Sequence, residues 1–164
     1  MAVDVIPNLH QPILGSKTLH WDDEQACDET ARQMARRPAL RHALVTLQGG
    51  LGAGKTTFVR HLLRALGVQG RIKSPTYAVL ESYELPGLAI SHLDFYRFDD
   101  PREWEDAGLR DVFAAPGLKL VEWPDRAATL LPLPDLSLDL IIEGEHARQV
   151  RFTAHTARGL ELLP

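Results

Sequence analysis

The run Gly49-Gly50-Leu51-Gly52-Ala53-Gly54-Lys55-Thr56 holds the residues whose types and spacing point most directly to a chemistry. It satisfies G-x-x-x-x-G-K-[ST] at every fixed position. Glycines let the backbone curl tightly and turn several N–H groups toward one anion. A helix that begins beside Lys55 adds the positive end of its dipole. The Lys55 ammonium reaches β- and γ-phosphates as a point charge, and the Thr56 hydroxyl is a ligand for magnesium. Thr57 either offers a second hydroxyl to the α-phosphate or simply starts the helix. The expectation is a phosphate-binding P-loop that takes ATP, with Mg2+ as cofactor.

Such a site needs an acidic group opposite the threonine. Two apolar runs end in one: residues 89–93 lead to Asp94, and residues 118–121 lead to Glu122. Ligands of open α/β sheets sit at the carboxyl ends of the strands, which makes both acids useful there. Spacing alone does not separate the one that holds the metal from the one that orients water. Lys55, Asp94 and Glu122 are the expected catalytic set, with Thr56 and one of the two acids at the metal. Ser74, Pro75, Thr76 and Tyr77 fall between the P-loop helix and the next strand, where γ-phosphate-sensing switches lie. The same four residues also read as a proline turn opening a strand.

The elements that must carry these residues follow from periodicity. Residues 43–47 are a short apolar run with β-branched residues, read as a buried strand. A helix is expected over residues 55–66, with Phe58, Leu62, Leu63 and Leu66 on one face and Gly67 as its cap. Strand, glycine loop and helix are the context a P-loop demands. Asp22, with Gln25 three residues on, reads as the N-cap of an earlier helix from 23 to 37 that ends at Pro38. Its apolar face of Ala26, Cys27, Thr30 and Met34 is thin. Residues 77–83 and 88–93 flank the turn Leu85-Pro86-Gly87 and form a hairpin. Residues 103–113 read as short helical pieces, 118–121 as a buried strand, 124–131 as a helix with proline in its first turn, and 136–142 and 149–154 as late strands. The fold class is therefore α/β: a P-loop NTPase-like sheet, parallel at its centre with antiparallel additions, helices on both faces. Residues 1–15, with two prolines and no period, read as a loose leader, and 16–164 as one ATPase domain.

With 164 residues, 45% apolar and 24% charged, the chain fits one globular domain with a proper core. A single cysteine, Cys27, forms no internal disulfide and reads as a small apolar filler. The net charge of -4 disfavours strong direct binding to nucleic acid, which usually shows a basic excess. No apolar stretch reaches the ~20 residues that span a membrane. The N-terminus lacks the basic start and apolar block of a signal peptide. A cytoplasmic protein is expected, with no membrane partner.

Four blocks together carry a further reading. LGAGKTTFVR (Leu51 to Arg60), KSPTY (Lys73 to Tyr77), HLDFYR (His92 to Arg97) and VEWPD (Val121 to Asp125), in this order and spacing, make the chain resemble the TsaE (YjeE) family of small bacterial ATPases. The resemblance is anchored from about Leu47 to Asp125. It implies a part in making threonylcarbamoyladenosine, the modified base beside the anticodon of tRNAs that read codons beginning with A. It implies TsaB and TsaD as partners, with tRNA engaged indirectly through that complex, and an ATPase that resets or sustains it. By resemblance Thr56 and Glu122 hold magnesium, Asp94 serves hydrolysis, and residues 73–77 behave as a switch loop. Trp123 is functional by position, against the plainer reading of an aromatic covering the sheet end. Arg97 or a partner's arginine is a candidate arginine finger. Arg148 sits where family members often carry an arginine. The chain departs from the family at Gly50, where an acidic residue is common; phosphate binding does not need that side chain.

Two alternatives remain at this point. A small-molecule kinase would use Arg97, Arg102 or Arg110 around the phosphates and pass phosphate to an acceptor rather than to water. A nucleotide-gated interaction module would let ATP order residues 73–77 and dock a partner with negligible turnover. A Ras-type GTPase is disfavoured, because the only asparagine, Asn8, is far from where an asparagine-lysine-x-aspartate motif belongs.

Overall fold

The computed structural model describes residues 11–164; residues 1–10, with Asn8 and most of the expected leader, lie outside the described residues. Strands β1 (Gly15–Trp21), β2 (Leu44–Gln48), β3 (Leu80–Leu85), β4 (Leu88–Asp94), β5 (Leu118–Glu122), β6 (Leu136–Ile142) and β7 (Arg148–Ala154) form one sheet in the order β1-β7-β6-β2-β5-β4-β3. The central pairs β6/β2, β2/β5 and β5/β4 are parallel, and the outer pairs β1/β7, β7/β6 and β4/β3 are antiparallel. Helices α1 (Glu24–Ala35) and α2 (Lys55–Leu66) cover one face, while α3 (Pro101–Asp106) and α4 (Leu109–Ala114) lie on the other; α5 (Ala157–Leu160) follows β7. The α/β class with a parallel centre is as the periodicity predicts.

Strand alternation sorts the core into two layers. Val45 and Leu47, Leu118 and Leu120, and Leu138 and Leu140 meet Phe58, Leu62 and Leu63 of α2. Leu44, Leu93 and Val121 point the other way and meet Phe95, Phe98, Trp104 and Leu109. The thin face of α1 buries Cys27, Thr30, Ala31 and Met34, and Trp21 stacks on Phe58 with centroids 5.6 Å apart. Burial, with Glu24 and Asp28 nearby, pushes the Cys27 thiol up to about 12, consistent with an inert filler.

Four local expectations need correction. The N-cap of α1 is Asp23, not Asp22: its carboxylate accepts from Ala26 N at 3.0 Å. Asp23 is the last extended residue before the helix (φ -153°, ψ 179°), the backbone state an N-cap needs. Residues 77–79 are not extended; Val79 has φ 67° and donates its N–H to Pro75 O, so β3 starts only at Leu80. Residues 124–131 give only a 3-10 turn over Pro124–Ala127. Finally, β1 occupies residues to which the sequence reading gave no element, because an exposed edge strand with one buried residue, Trp21, carries little apolar period. Upstream of β1, Leu14 N–H donates to Ala154 O at 2.8 Å, and Pro12 O lies 2.8 Å from His155 Nδ1.

Asp135 ties the start of β2 to the end of the chain. Its carboxylate accepts from Leu44 N at 2.8 Å and from the Thr156 hydroxyl at 2.7 Å. Its carbonyl accepts from His155 N at 2.9 Å. Gly159 packs directly on that peptide: a Cβ there would lie 1.8 Å from Asp135 O. No rotamer change relieves a clash with backbone, so Gly159→Ala will cost about 3 kcal/mol of stability. Urea unfolding will show it as a lower midpoint, and an unchanged midpoint would refute this packing.

Candidate functional site

Residues 49–54 leave the end of β2, at the sheet's centre, and run straight into α2. Gly52 (φ 77°) and Gly54 (φ 103°) adopt left-handed conformations that L side chains rarely take. A Cβ on Gly49 would meet Leu140 O at 2.7 Å, so that glycine is required by close packing on β6. Gly50 faces open space, so the family's acidic side chain would fit at this position. At the start of α2 the first N–H groups have no intrahelical acceptor. Arg148, from β7, grips the loop from behind, donating from Nε to Ala53 O and from Nη2 to Gly52 O, both at 3.0 Å.

Lys55 lies nearly buried and folded back on its own loop. Its Nζ donates to Gly49 O at 2.5 Å and Gly50 O at 2.9 Å, and sits 4.3 Å from the Trp123 ring centroid. Burial pulls its pKa below the ordinary lysine value, against the opposing pull of Glu122, Asp94 and Asp125. Thr56 donates its hydroxyl to Glu122 Oε1 at 2.7 Å. The register pairs Asp94 with Glu122 across β4 and β5, which brings the two strand-end acids side by side. Both are nearly buried, at 4% and 2% exposed. Asp94 Oδ1 accepts from Tyr96 N at 2.9 Å, and Oδ2 from the Thr76 hydroxyl at 3.2 Å. Burial raises the Asp94 pKa above the ordinary aspartate value; the Tyr96 N–H opposes this, and the Glu122 charge adds to it.

A cleft of about 280 Å³ opens between these groups, lined by Leu51, Gly52, Gly54, Lys55, Thr56, Thr57, Thr76, Asp94, Tyr96, Glu122 and Trp123. Ala53, Gly54 and Thr57 also border a second hollow of about 250 Å³ on the α1 side, with Trp21 and Arg148. The switch candidates divide. Thr76 reaches the cleft, while Ser74 is absent from its lining and its hydroxyl lies 2.9 Å from that of Thr76, and Pro75 O accepts from Val79 N. Tyr77 points outward, 82% exposed, under the Arg97 guanidinium, which donates to its hydroxyl at 3.1 Å and stacks at 4.3 Å from the ring. Arg97 is therefore turned to Tyr77. Trp123 takes a left-handed conformation (φ 55°, ψ 51°) and packs on Tyr96 with centroids 5.0 Å apart.

One neighbour escaped the sequence reading. His92, which opens the block His92 to Arg97 and carries no role of its own in the sequence analysis, is completely buried and lies with Nε2 2.6 Å from Glu122 Oε2. The signal was the period of two: His92 and Asp94 share one face of β4, the face that Leu120 and Glu122 share on β5. Among the described residues no group of three or more His, Cys, Asp or Glu is placed to hold a metal ion. No helix among them is long and apolar enough to cross a membrane.

A mixed sheet whose central strand feeds a glycine loop and a helix, with two acids at the adjoining strand ends, defines an α/β protein of NTPase-like fold. The chain belongs to the TsaE family: the family model "Threonylcarbamoyl adenosine biosynthesis protein TsaE" matches residues 21–150. It is 39% identical over 120 residues to the tRNA threonylcarbamoyladenosine biosynthesis protein TsaE of Haemophilus influenzae, covering 73% of this chain and 75% of that one. It is 38% identical over 111 residues to the protein of the same name from Bacillus subtilis, covering 68% and 69%. The crystal structure of YdiB from Bacillus subtilis superposes with a TM-score of 0.73 at 28% identity, over 90% of this chain and 91% of that one.

Proposed function

We propose that this protein binds ATP with magnesium at the P-loop cleft and hydrolyses it in support of threonylcarbamoyladenosine synthesis in tRNA, acting with TsaB and TsaD in the cytoplasm. The observation that carries the site is the 2.7 Å contact between the Thr56 hydroxyl and Glu122 Oε1 at the head of α2. The pathway reading rests on membership of the TsaE family.

The donors fit magnesium. They are hard oxygens, one hydroxyl and one carboxylate, and magnesium is commonly held by one or two carboxylates with water and substrate phosphate completing the shell. Thr56 and Glu122 would hold it, and when bound it would offset the charge on the phosphate oxygens. Lys55 leaves the carbonyls of Gly49 and Gly50 for the β- and γ-phosphates, and the amides of residues 50–56 surround the phosphate chain. Asp94, with Oδ1 fixed by Tyr96 N–H, orients a water toward the γ-phosphate. Trp123 and Tyr96 cover the cleft and restrict bulk water. Thr76, bonded to Asp94, links the occupancy of the cleft to residues 73–77, and the exposed Tyr77–Arg97 pair is the surface that a partner would read. Arg97 is held away from the cleft by Tyr77, so any arginine finger comes from Arg97 released on docking or from a partner.

Phosphate release from ATP, measured on the purified protein alone and with TsaB and TsaD, tests this reading. Turnover should be weak alone and rise with the partners, and Glu122→Ala should not respond. Equal turnover with and without partners would remove the family role, and transfer to a small acceptor in place of water would make the protein a kinase.

A further inference from the structure

His92 is a buried group in contact with Glu122 that the nucleotide chemistry above leaves unused. A strand position with no solvent exposure is ordinarily filled by valine, leucine or isoleucine. Here an imidazole is buried with its Nδ1 lacking any hydrogen-bond partner among the described residues. Half-satisfied buried polar groups are costly, so the retained half must matter. That half is the 2.6 Å contact from Nε2 to Glu122 Oε2.

The geometry also fixes the tautomer. Facing a carboxylate, Nε2 carries the hydrogen and donates. The two oxygens of Glu122 are then divided: Oε2 accepts from His92, and Oε1 accepts from the Thr56 hydroxyl. With Oε2 anchored, the carboxyl plane cannot swing about its terminal torsion, and Oε1 stays beside Thr56. Without the anchor, a carboxylate 2% exposed would keep an unpaired oxygen in the core and turn away from the P-loop.

We infer that His92 is a positioning residue, which holds Glu122 in the orientation in which Oε1 and the Thr56 hydroxyl together receive a divalent cation. The inference rests on the magnesium-nucleotide reading proposed above. It differs from a packing role, because it requires a hydrogen-bond donor at Nε2 and acts on the cation rather than on the nucleotide.

The test is the affinity of the full chain for a non-hydrolysable ATP analogue, measured in Mg2+ and again in EDTA, so that the ratio reports the contribution of the metal. His92→Leu should cut that ratio about tenfold, the scale of lost outer-shell partners in metal sites. Affinity in EDTA should stay within about threefold, which is under 1 kcal/mol. His92→Gln, whose amide places a donor near the position of Nε2, should restore most of the ratio. His92→Leu in a Glu122→Gln background should add nothing. Should the leucine variant not fold, His92→Asn, whose amide stops short of Glu122, replaces it. An unchanged ratio in His92→Leu, an equal loss in EDTA, or a glutamine variant no better than leucine would each overturn the inference. If Glu122→Gln alone leaves the ratio intact, the metal reading of Glu122 falls and takes this inference with it. If Glu122→Gln lowers the ratio and His92→Leu does not, only the role of His92 fails.

Discussion

Replacing Lys55 with alanine will lower the affinity for ATP about 100-fold or more. Among the described residues the side chain is the one cation lining the cleft, and hydrogen bonds to charged groups contribute about 1.5–3 kcal/mol each. In the structure Nζ is held by two backbone carbonyls and lies over Trp123. Binding therefore exchanges two neutral acceptors for charged phosphate oxygens, and the exchange is favourable because the new partners are anionic. Burial already disfavours the ammonium, as the lowered pKa direction of Lys55 records, so an arriving anion relieves a standing electrostatic cost. The alanine variant removes that cost together with the binding energy, and its thermal stability should change little. Isothermal titration with ATP and a melting curve on the same sample separate the two effects. Wild-type affinity in a folded Lys55→Ala protein would refute the P-loop reading.

Asp94→Asn has the second largest expected effect, and it moves two readouts in opposite directions. Turnover should fall by about 10²–10⁴, the range for losing a positioned catalytic base. ATP affinity should hold, because Lys55, the loop and Glu122 are untouched. Stability should rise. Burial raises the folded pKa of Asp94 above its unfolded value, so folding disfavours its charged form. The favourable term belongs to the protonated state: it is fully present below the unfolded pKa and is lost as pH rises through the folded one. At neutral pH the wild type carries the whole penalty of a buried carboxylate, and the amide does not. Asparagine also keeps an oxygen for Tyr96 N–H and offers an N–H to the Thr76 hydroxyl. Melting of the nucleotide-free proteins should favour Asp94→Asn at pH 7, and the gap should close as pH falls below the ordinary aspartate range. A variant less stable at neutral pH would show that the carboxylate is paired better than its burial implies.

Both effects stem from one arrangement, in which charged groups are held out of water around one cleft. Lys55, Asp94 and Glu122 each lie in the buried layer, at the point where β2, β4 and β5 end together. A protein that keeps such groups ready for a ligand gives up stability in its free state.

Much of this was legible in the chain. The glycines of residues 49–54 fit the loop they form, because L side chains rarely adopt φ near +77° and +103° and a Cβ on Gly49 would meet Leu140 O at 2.7 Å. The apolar runs before Asp94 and Glu122 place those acids at strand ends, since a buried strand must stop where the chain turns polar. The period of α2 and the hairpin of β3 and β4 follow from local pattern alone. What the chain could not display is register. That Asp94 stands beside Glu122, and that Thr56 meets Glu122 Oε1, depends on how two parallel strands separated by a helical crossover slide past each other, and no local rule sets that offset. The edge strand β1 was hidden for a related reason: it is stabilised by ladder bonds to β7, more than 120 residues away, and its own side chains are mostly exposed. His92 was hidden because a lone histidine in an apolar strand has the same letters whether it fills space or holds a carboxylate. Only the packing of β4 on β5, which brings its Nε2 to Glu122 Oε2, decides between them.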